Sequence, residues 1–443
     1  MSVIVNPGCM TERTDDHREK CTNSLYLISR DALDVNVERA EDVLMYKWLL
    51  HLANDPTNRP AFEKVTFYVL DLLVTGFMSK TIPRFSSTSL RKINRPFVKS
   101  IKSPDGDIID CVLFHRQPAF DVPKLKGKMS MVPPELPKGH DNVGKNHEIK
   151  QLWNSKGESC PNGTIPIKRP SASDISRSTS VSKYRKKYSR KDIPTSPEHQ
   201  HAIGYSRDGE FYGAKALLNV WQPNVSKYDF SLSQIWVLGD VPNRPVNSIE
   251  AGWHVSPNVH KDSLPRLFTY WTPSGYKSGC YNMECPGFVQ TNQKVSLGAA
   301  IDPISTYNGQ QYDVDFLIWR DPKTKDWWLR VGTELMGFWP ADLFTDLHDH
   351  ATTIEYGGEV FSQNLGTHTR TQMGSGHFQD EGFGKAAYAR NLEVITGDNH
   401  IIPVPNLRTF ADDPNCYGVK QEYSDTWGNY IFFGGPGYNP NCL

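Results

Sequence analysis

Two short blocks hold the residues best placed to do chemistry. In Asn247-Ser248-Ile249-Glu250-Ala251-Gly252-Trp253-His254-Val255, strand-like alternation puts Glu250 on one face with Gly252 and His254. Ile354-Glu355-Tyr356-Gly357-Gly358-Glu359-Val360 does the same for Glu355 or Glu359. A glycine inside a strand removes side-chain bulk and lets another backbone come close. Two carboxyls facing one another across such a gap can share a proton, because like charges a few ångström apart do not both ionise cheaply; one then works as acid and the other as base. An acidic residue on a strand is also the ordinary occupant of a solvated face, so alternation leaves both readings open.

Other catalytic signatures are missing. The chain has no Gly-rich phosphate loop, no HExxH, no Gly-x-Ser-x-Gly elbow and no papain-like Cys/His context. Its histidines are scattered, and His348-Asp349-His350, the nearest approach to a metal cluster, reads as a surface loop. No metal and no cofactor is expected.

The elements that must carry these residues are strands. After His199 short apolar runs alternate with turn signals, the pattern of an antiparallel two-sheet sandwich of the jelly-roll or concanavalin type, with about a dozen strands. Ala202 to Trp221 reads as a hairpin about Asp208-Gly209, and Phe316 to Trp328 as another about residues 321–326. Further strands are expected at Ser233 to Val237, Ser248 to Val255, Leu267 to Trp271, Gly287 to Gln290, Ile354 to Phe361, Ala387 to Val394 and Tyr430 to Phe433. Upstream, Pro104-Asp105-Gly106 between two apolar runs predicts a hairpin in a small, mainly β, weakly cored unit.

Residues 170–199, rich in Ser, Arg and Lys and almost without apolar side chains, read as an exposed basic linker, where proteases cut. Asp34 to Leu52 has helical spacing, and residues 123–150 read as extended and loop-like. Val65 to Met78 has the length of a signal-peptide core, or of a buried helix or strand; Met1 to Arg30 is polar and charged, so residues 1 to 60 are expected to be an artefact of the start site or a fused exon.

Composition narrows the class. A chain of 443 residues suits two folded units, and its zero net charge gives no global field towards nucleic acid or anionic membrane. The eight cysteines fall into local couples, Cys111 with Cys160, Cys280 with Cys285 and Cys416 with Cys442, with Cys9 and Cys21 left over. Such couples suit loop-closing disulfides and an exported protein, secreted or vacuolar. The sequons at Asn162 and Asn224 agree with that route.

The second half resembles the neprosin family of plant and microbial glutamic peptidases. The blocks that carry the resemblance are His201-Ala202-Ile203-Gly204-Tyr205, Tyr212 to Ala216, Phe230 to Trp236, Ser248 to Trp253, Gly279 to Asn282 with Cys285, Glu355 to Val360, Thr371 to Gly376, and Gly434 to Gly437 before Cys442. Lys92 to Arg169 looks like the activation peptide of plant members. The resemblance implies a zymogen of an acid-active endopeptidase that cleaves on the carboxyl side of proline, with proline-containing peptides as substrates and its own propeptide as inhibitor. Residues 1–88 would be an atypical extension, 89–169 the activation peptide and 200–443 the catalytic domain.

By motif, the catalytic pair falls on Glu250 and on one glutamate of the second block. Glu359 is preferred because Gly357 and Gly358 open the strand surface beside it, with Glu355 as the alternative. Trp253, Tyr270 and Tyr205, with Trp236 and Trp271, are candidates to wall a slot for the proline ring, or else sandwich-core aromatics. Two other occupations suit the same fold: a cell-wall carbohydrate binder, which needs no facing glutamates, and a glycosidase, which does. An inactive paralogue is the remaining alternative.

Overall fold

In the seven-stranded sheet that carries both acidic blocks, the strand order is β17-β4-β14-β6-β7-β8-β9. These strands are β4 (His199–Phe211), β6 (Phe230–Gly239), β7 (Asn247–Val255), β8 (Arg266–Thr272), β9 (Cys280–Tyr281), β14 (Ala351–Phe361) and β17 (Arg408–Ala411). The computed structural model describes residues 94–122, 125, 133–139, 149–170, 199–362 and 368–442. The helix expected at 34–52, the apolar stretch 65–78, most of the 123–150 stretch, the basic linker, Cys9 and Cys21 lie outside these residues.

A nine-stranded sheet packs against the first. Its order is β10-β13-β12-β11-β5-β15-β19-β18, with β16 paired to β15. The strands are β5 (Gly213–Asn219), β10 (Val289–Gln290), β11 (Asp313–Arg320), β12 (Trp327–Val331), β13 (Glu334–Trp339), β15 (Ala387–Ile395), β16 (Ile401–Pro403), β18 (Gly418–Ser424) and β19 (Gly428–Gly434). Every described pairing between these strands is antiparallel, and the inner faces meet in one apolar core. Ile235, Ile249, Ala251, Trp253 and Val360 from one sheet share it with Ala216, Leu218, Phe316, Ile318 and Leu329 from the other. Alternation does the sorting: the odd positions of β7 enter this core, while Glu250, Gly252 and His254 turn to the outer face.

A small three-stranded sheet, β1 (Phe97–Lys102), β2 (Ile108–Leu113) and β3 (Thr164–Lys168), lies upstream in the same compact unit, Arg84–Leu443. Its β1–β2 turn is the expected one over Pro104 to Gly106, with Gly106 at φ +92°. Its own core is slight: Ile101, Ile109, Cys111, Trp153 and Cys160 cluster with Ala299 of the larger domain. Two buried glutamines secure this segment by acting as surrogate peptide groups. Gln117 donates to Gln290 O at 3.2 Å and accepts from Gln290 N at 2.8 Å, on the terminal strand β10. Gln151 donates to Ser296 O at 2.7 Å and accepts from Ser296 N at 2.9 Å. Disulfides join Cys111 to Cys160, Cys280 to Cys285 and Cys416 to Cys442.

The hairpin at residues 321–326 forms between β11 and β12. The one expected at Asp208-Gly209 does not. There β4 continues to Phe211, pairing Arg207 with Thr353 and Phe211 with Ala351, so Asp208 to Glu210 bulge against the single residue Thr352. Asp208, at φ 60°, serves the bulge, and the chain crosses between sheets only at Tyr212-Gly213. An Asp-Gly pair satisfies a bulge as well as a turn.

Phe316 is wholly buried on β11 in the inter-sheet core. Phe316→Ala should lower stability by about 3–5 kcal/mol in urea denaturation; a loss under about 1 kcal/mol would mean the two inner faces are not packed together.

Candidate active site

The outer face of the seven-stranded sheet is organised in cross-strand rows. One row reads Glu355-Trp236-Glu250-Tyr270-Tyr281, the next Gly357-Gln234-Gly252-Phe268, and the next Glu359-Leu232-His254-Arg266. Gln234 therefore has a glycine on each side, and Glu250 and Glu359 stand diagonally from it on the two neighbouring strands.

Both glycines are required by the backbone. A Cβ on Gly252 would come 2.0 Å from Ser233 O, and one on Gly357, which sits at φ +139°, would come 2.4 Å from Ala202 O. The result is a strip without side-chain bulk on both flanks of Gln234.

Glu250 is fully buried (0% exposed) and accepts three hydrogen bonds: Gln234 Nε2 donates to Oε2 at 2.9 Å, and Ser248 Oγ and Tyr276 OH donate to Oε1 at 2.6 and 3.0 Å. Glu359, 2% exposed, meets His199 Nδ1 at 2.5 Å. His199 is itself buried against Phe361 at the start of β4.

Tyr281, next to Cys280 of the short disulfide loop, interacts electrostatically with both glutamates. Burial first, then electrostatic interaction with the Tyr270 hydroxyl and with Glu250 and Glu359, holds its phenol well above the usual range.

Glu355 is set apart. It is buried, its row position is separated from Glu250 by Trp236, and Arg207 Nη2 donates to its Oε1 at 3.3 Å.

The aromatic candidates separate by face. Tyr270 is the direct neighbour of Glu250 and lies within 5.9 Å of Tyr276 and 4.9 Å of Tyr281, ring centre to ring centre. Trp236 shares that face, wholly buried. Trp253 does not line it: its side chain enters the inter-sheet core and donates to Asn219 O at 3.0 Å on the opposite sheet. Trp271 is directed to the same core. Tyr205 stands beside Glu355, under the Arg207 guanidinium at 4.8 Å, and is not brought to Glu250.

His348 and Asp349 are exposed and pair with each other at 3.2 Å. Among the described residues one His/Asp/Cys group could gather around an ion, His368, Asp413, Cys416 and Cys442, but its two sulfurs are bonded to each other. A disulfide sulfur is not the thiolate that a metal needs.

Gln234, Ser248, Tyr276, Tyr281 and His199 are site neighbours that sequence reading did not single out. Gln234 and Ser248 lie within the strand blocks quoted above, but their proximity to Glu250 depends on register. Tyr276 comes from a loop and His199 from a strand end, and neither position carries a signal in the sequence.

The family model "Neprosin" matches residues 227–436, and the model "Neprosin activation peptide" matches residues 100–205. The chain belongs to the neprosin family, with an activation peptide ahead of its larger domain.

Among solved structures, it is similar to scytalido-glutamic peptidase with a peptide-based transition-state analogue, at 9% identity over 54% of this chain and 98% of that one, with a TM-score of 0.29. It is also similar to SCP-B, a member of the Eqolisin family of peptidases, at 8% identity over 53% and 96%, with a TM-score of 0.24. Over 37 residues it is 76% identical to the serine/threonine-protein kinase STY46, and over 37 residues 68% identical to STY17, both of Arabidopsis thaliana. Each match covers 8% of this chain, and the chain spans about 6% of the length of those curated relatives.

Gly252→Ala should lower stability by about 3 kcal/mol, because the added methyl meets backbone and not a yielding side chain. Thermal denaturation checks this; an unchanged midpoint would show that the strip beside Gln234 can be filled without strain.

Proposed function

We propose that this protein is the zymogen of a glutamic endopeptidase that hydrolyses peptide bonds on the carboxyl side of proline, with Glu250 and Glu359 as its catalytic pair. The observation that carries the reading is the placement of two buried glutamates on one sheet face, either side of a glycine-flanked glutamine and both acting on Tyr281. Family membership supports the activity.

One carboxylate takes a proton from water as the water oxygen bonds to the carbonyl carbon, and the other, protonated, gives its proton to the carbonyl oxygen. The tetrahedral intermediate then breaks its C–N bond, with a proton returned to the leaving nitrogen. Ser248, Tyr276 and Gln234 hold Glu250 in place. The row neighbour Tyr270, with Tyr281, offers ring faces on which the flat pyrrolidine ring of a proline packs. Burial of both carboxyls closes them to substrate in this form, which suits a chain that still carries its activation peptide.

At about pH 4 the processed enzyme should cut peptides after proline, and Glu250→Gln and Glu359→Gln should each reduce kcat by about a thousandfold, whereas Glu355→Gln stays within tenfold. Mass-spectrometric mapping of the products is the check. A folded, processed protein that cuts nothing would favour the carbohydrate-binding reading, and loss of activity in Glu355→Gln in place of Glu359→Gln would move the second role.

Three disulfides among the described residues support a secreted or vacuolar setting. Asn162 and Asn224 are both exposed, so glycans at these positions are expected. Glycosidase treatment of protein from a eukaryotic secretory host should lower its mass; an unchanged mass would count against that route.

A further inference from the structure

Arg266 is a buried cation that the proposed chemistry leaves unused. It is 0% exposed, on the outer face of β8 in the same row as Glu359, Leu232 and His254. Its guanidinium donates to Asp262 Oδ2 at 2.6 Å and to Gly298 O at 2.9 Å, groups of the larger domain. Its other partners come from the activation peptide: Asp107 Oδ2, and Asp105 Oδ2 at 3.3 Å.

Both of those carboxylates sit in the β1–β2 turn, which is closed by Ser103 N donating to Asp107 O at 2.8 Å. Lys168 Nζ, 3.4 Å from Asp107, braces it from β3. An acidic turn of the propeptide is thus inserted into a cationic socket on the sheet face that carries the glutamates.

When the activation peptide leaves, Arg266 keeps Asp262 and Gly298 O and loses two carboxylates. A guanidinium reduced from three carboxylates to one has donors left to satisfy, which is unfavourable unless water or a new anion takes the vacated places. The replacement is available from substrate. Three strand spacings separate β14 from β8, about 14 Å, and an extended peptide covers that distance in about four residues.

We propose that in the mature enzyme Arg266 is a specificity residue that binds an aspartate or glutamate side chain of the substrate about four residues from the scissile bond, in the place now held by Asp105 and Asp107. This rests on the peptidase reading above.

The test uses the processed full-length enzyme and paired proline peptides that differ only by Asp or Asn at the fourth residue on one flank, then on the other. At one flank the Asp peptide should be cleaved with a kcat/KM about tenfold higher, the factor carried by one charge-assisted hydrogen bond. In Arg266→Gln that ratio should fall to near one, and in Arg266→Lys it should be intermediate, since an ammonium keeps the charge without the fork. Equal cleavage of Asp and Asn peptides by the wild type at both flanks would overturn the assignment and leave Arg266 as an anchor for the propeptide alone, a result that needs no variant to fold. A preference unchanged in Arg266→Lys and Arg266→Gln would also overturn it. Cleavage of none of the peptides would remove the peptidase reading and this inference together.

Discussion

Backbone pairing in the seven-stranded sheet decides which side chains face one another, and the site depends on that register. Glu250 and Glu359 are far apart in sequence and on strands separated by β6, so only the alignment of β14, β6 and β7 places them diagonally about Gln234. A slip of one residue in either pairing would send a glutamate into the apolar core between the sheets, where no donor awaits it. Gly252 and Gly357 fit this register because each lies where a methyl group would strike the adjacent strand. The residues that define the empty strip thus also penalise misalignment.

Burying two carboxyls on one face is costly, and the surrounding polar groups offset it in different ways. Glu250 has a set of neutral donors from three elements, whereas Glu359 has a histidine. Tyr270, Tyr276 and Tyr281 fill the space around Glu250 with rings that carry polar hydroxyls, so its surroundings are packed without being apolar. The Cys280–Cys285 bridge holds the segment that bears Tyr281 next to them.

Much of this was legible in the sequence. Alternation in the 247–255 block puts Glu250, Gly252 and His254 on one face and Trp253 on the other, so of the two roles open to Trp253, slot wall or sandwich core, strand phase already favours the core that it occupies. Cysteine proximity gave all three bridges. Where two strands are joined by a short turn, as at 321–326, local signals suffice. Asp208-Gly209 misled because a bulge and a turn use the same left-handed backbone, and only the length of the partner strand β14 separates them. The companions of Glu250 were hidden for another reason: Tyr276 arrives from a loop and Gln234 from a neighbouring strand, and register between strands is not written in either one alone.

The glutamines at 117 and 151 give the propeptide a second relation to its domain. The Gln117 amide occupies the place that a further strand's peptide group would take beside Gln290, and the Gln151 amide pairs in the same two-bond manner with the Ser296 backbone in the loop that follows. Maturation that removes the segment leaves the N–H and C=O of Gln290, on the terminal strand β10, open to pair with an extended chain nearby. Until then the Gln117 amide keeps this stretch of edge paired, as one more rung of the ladder would.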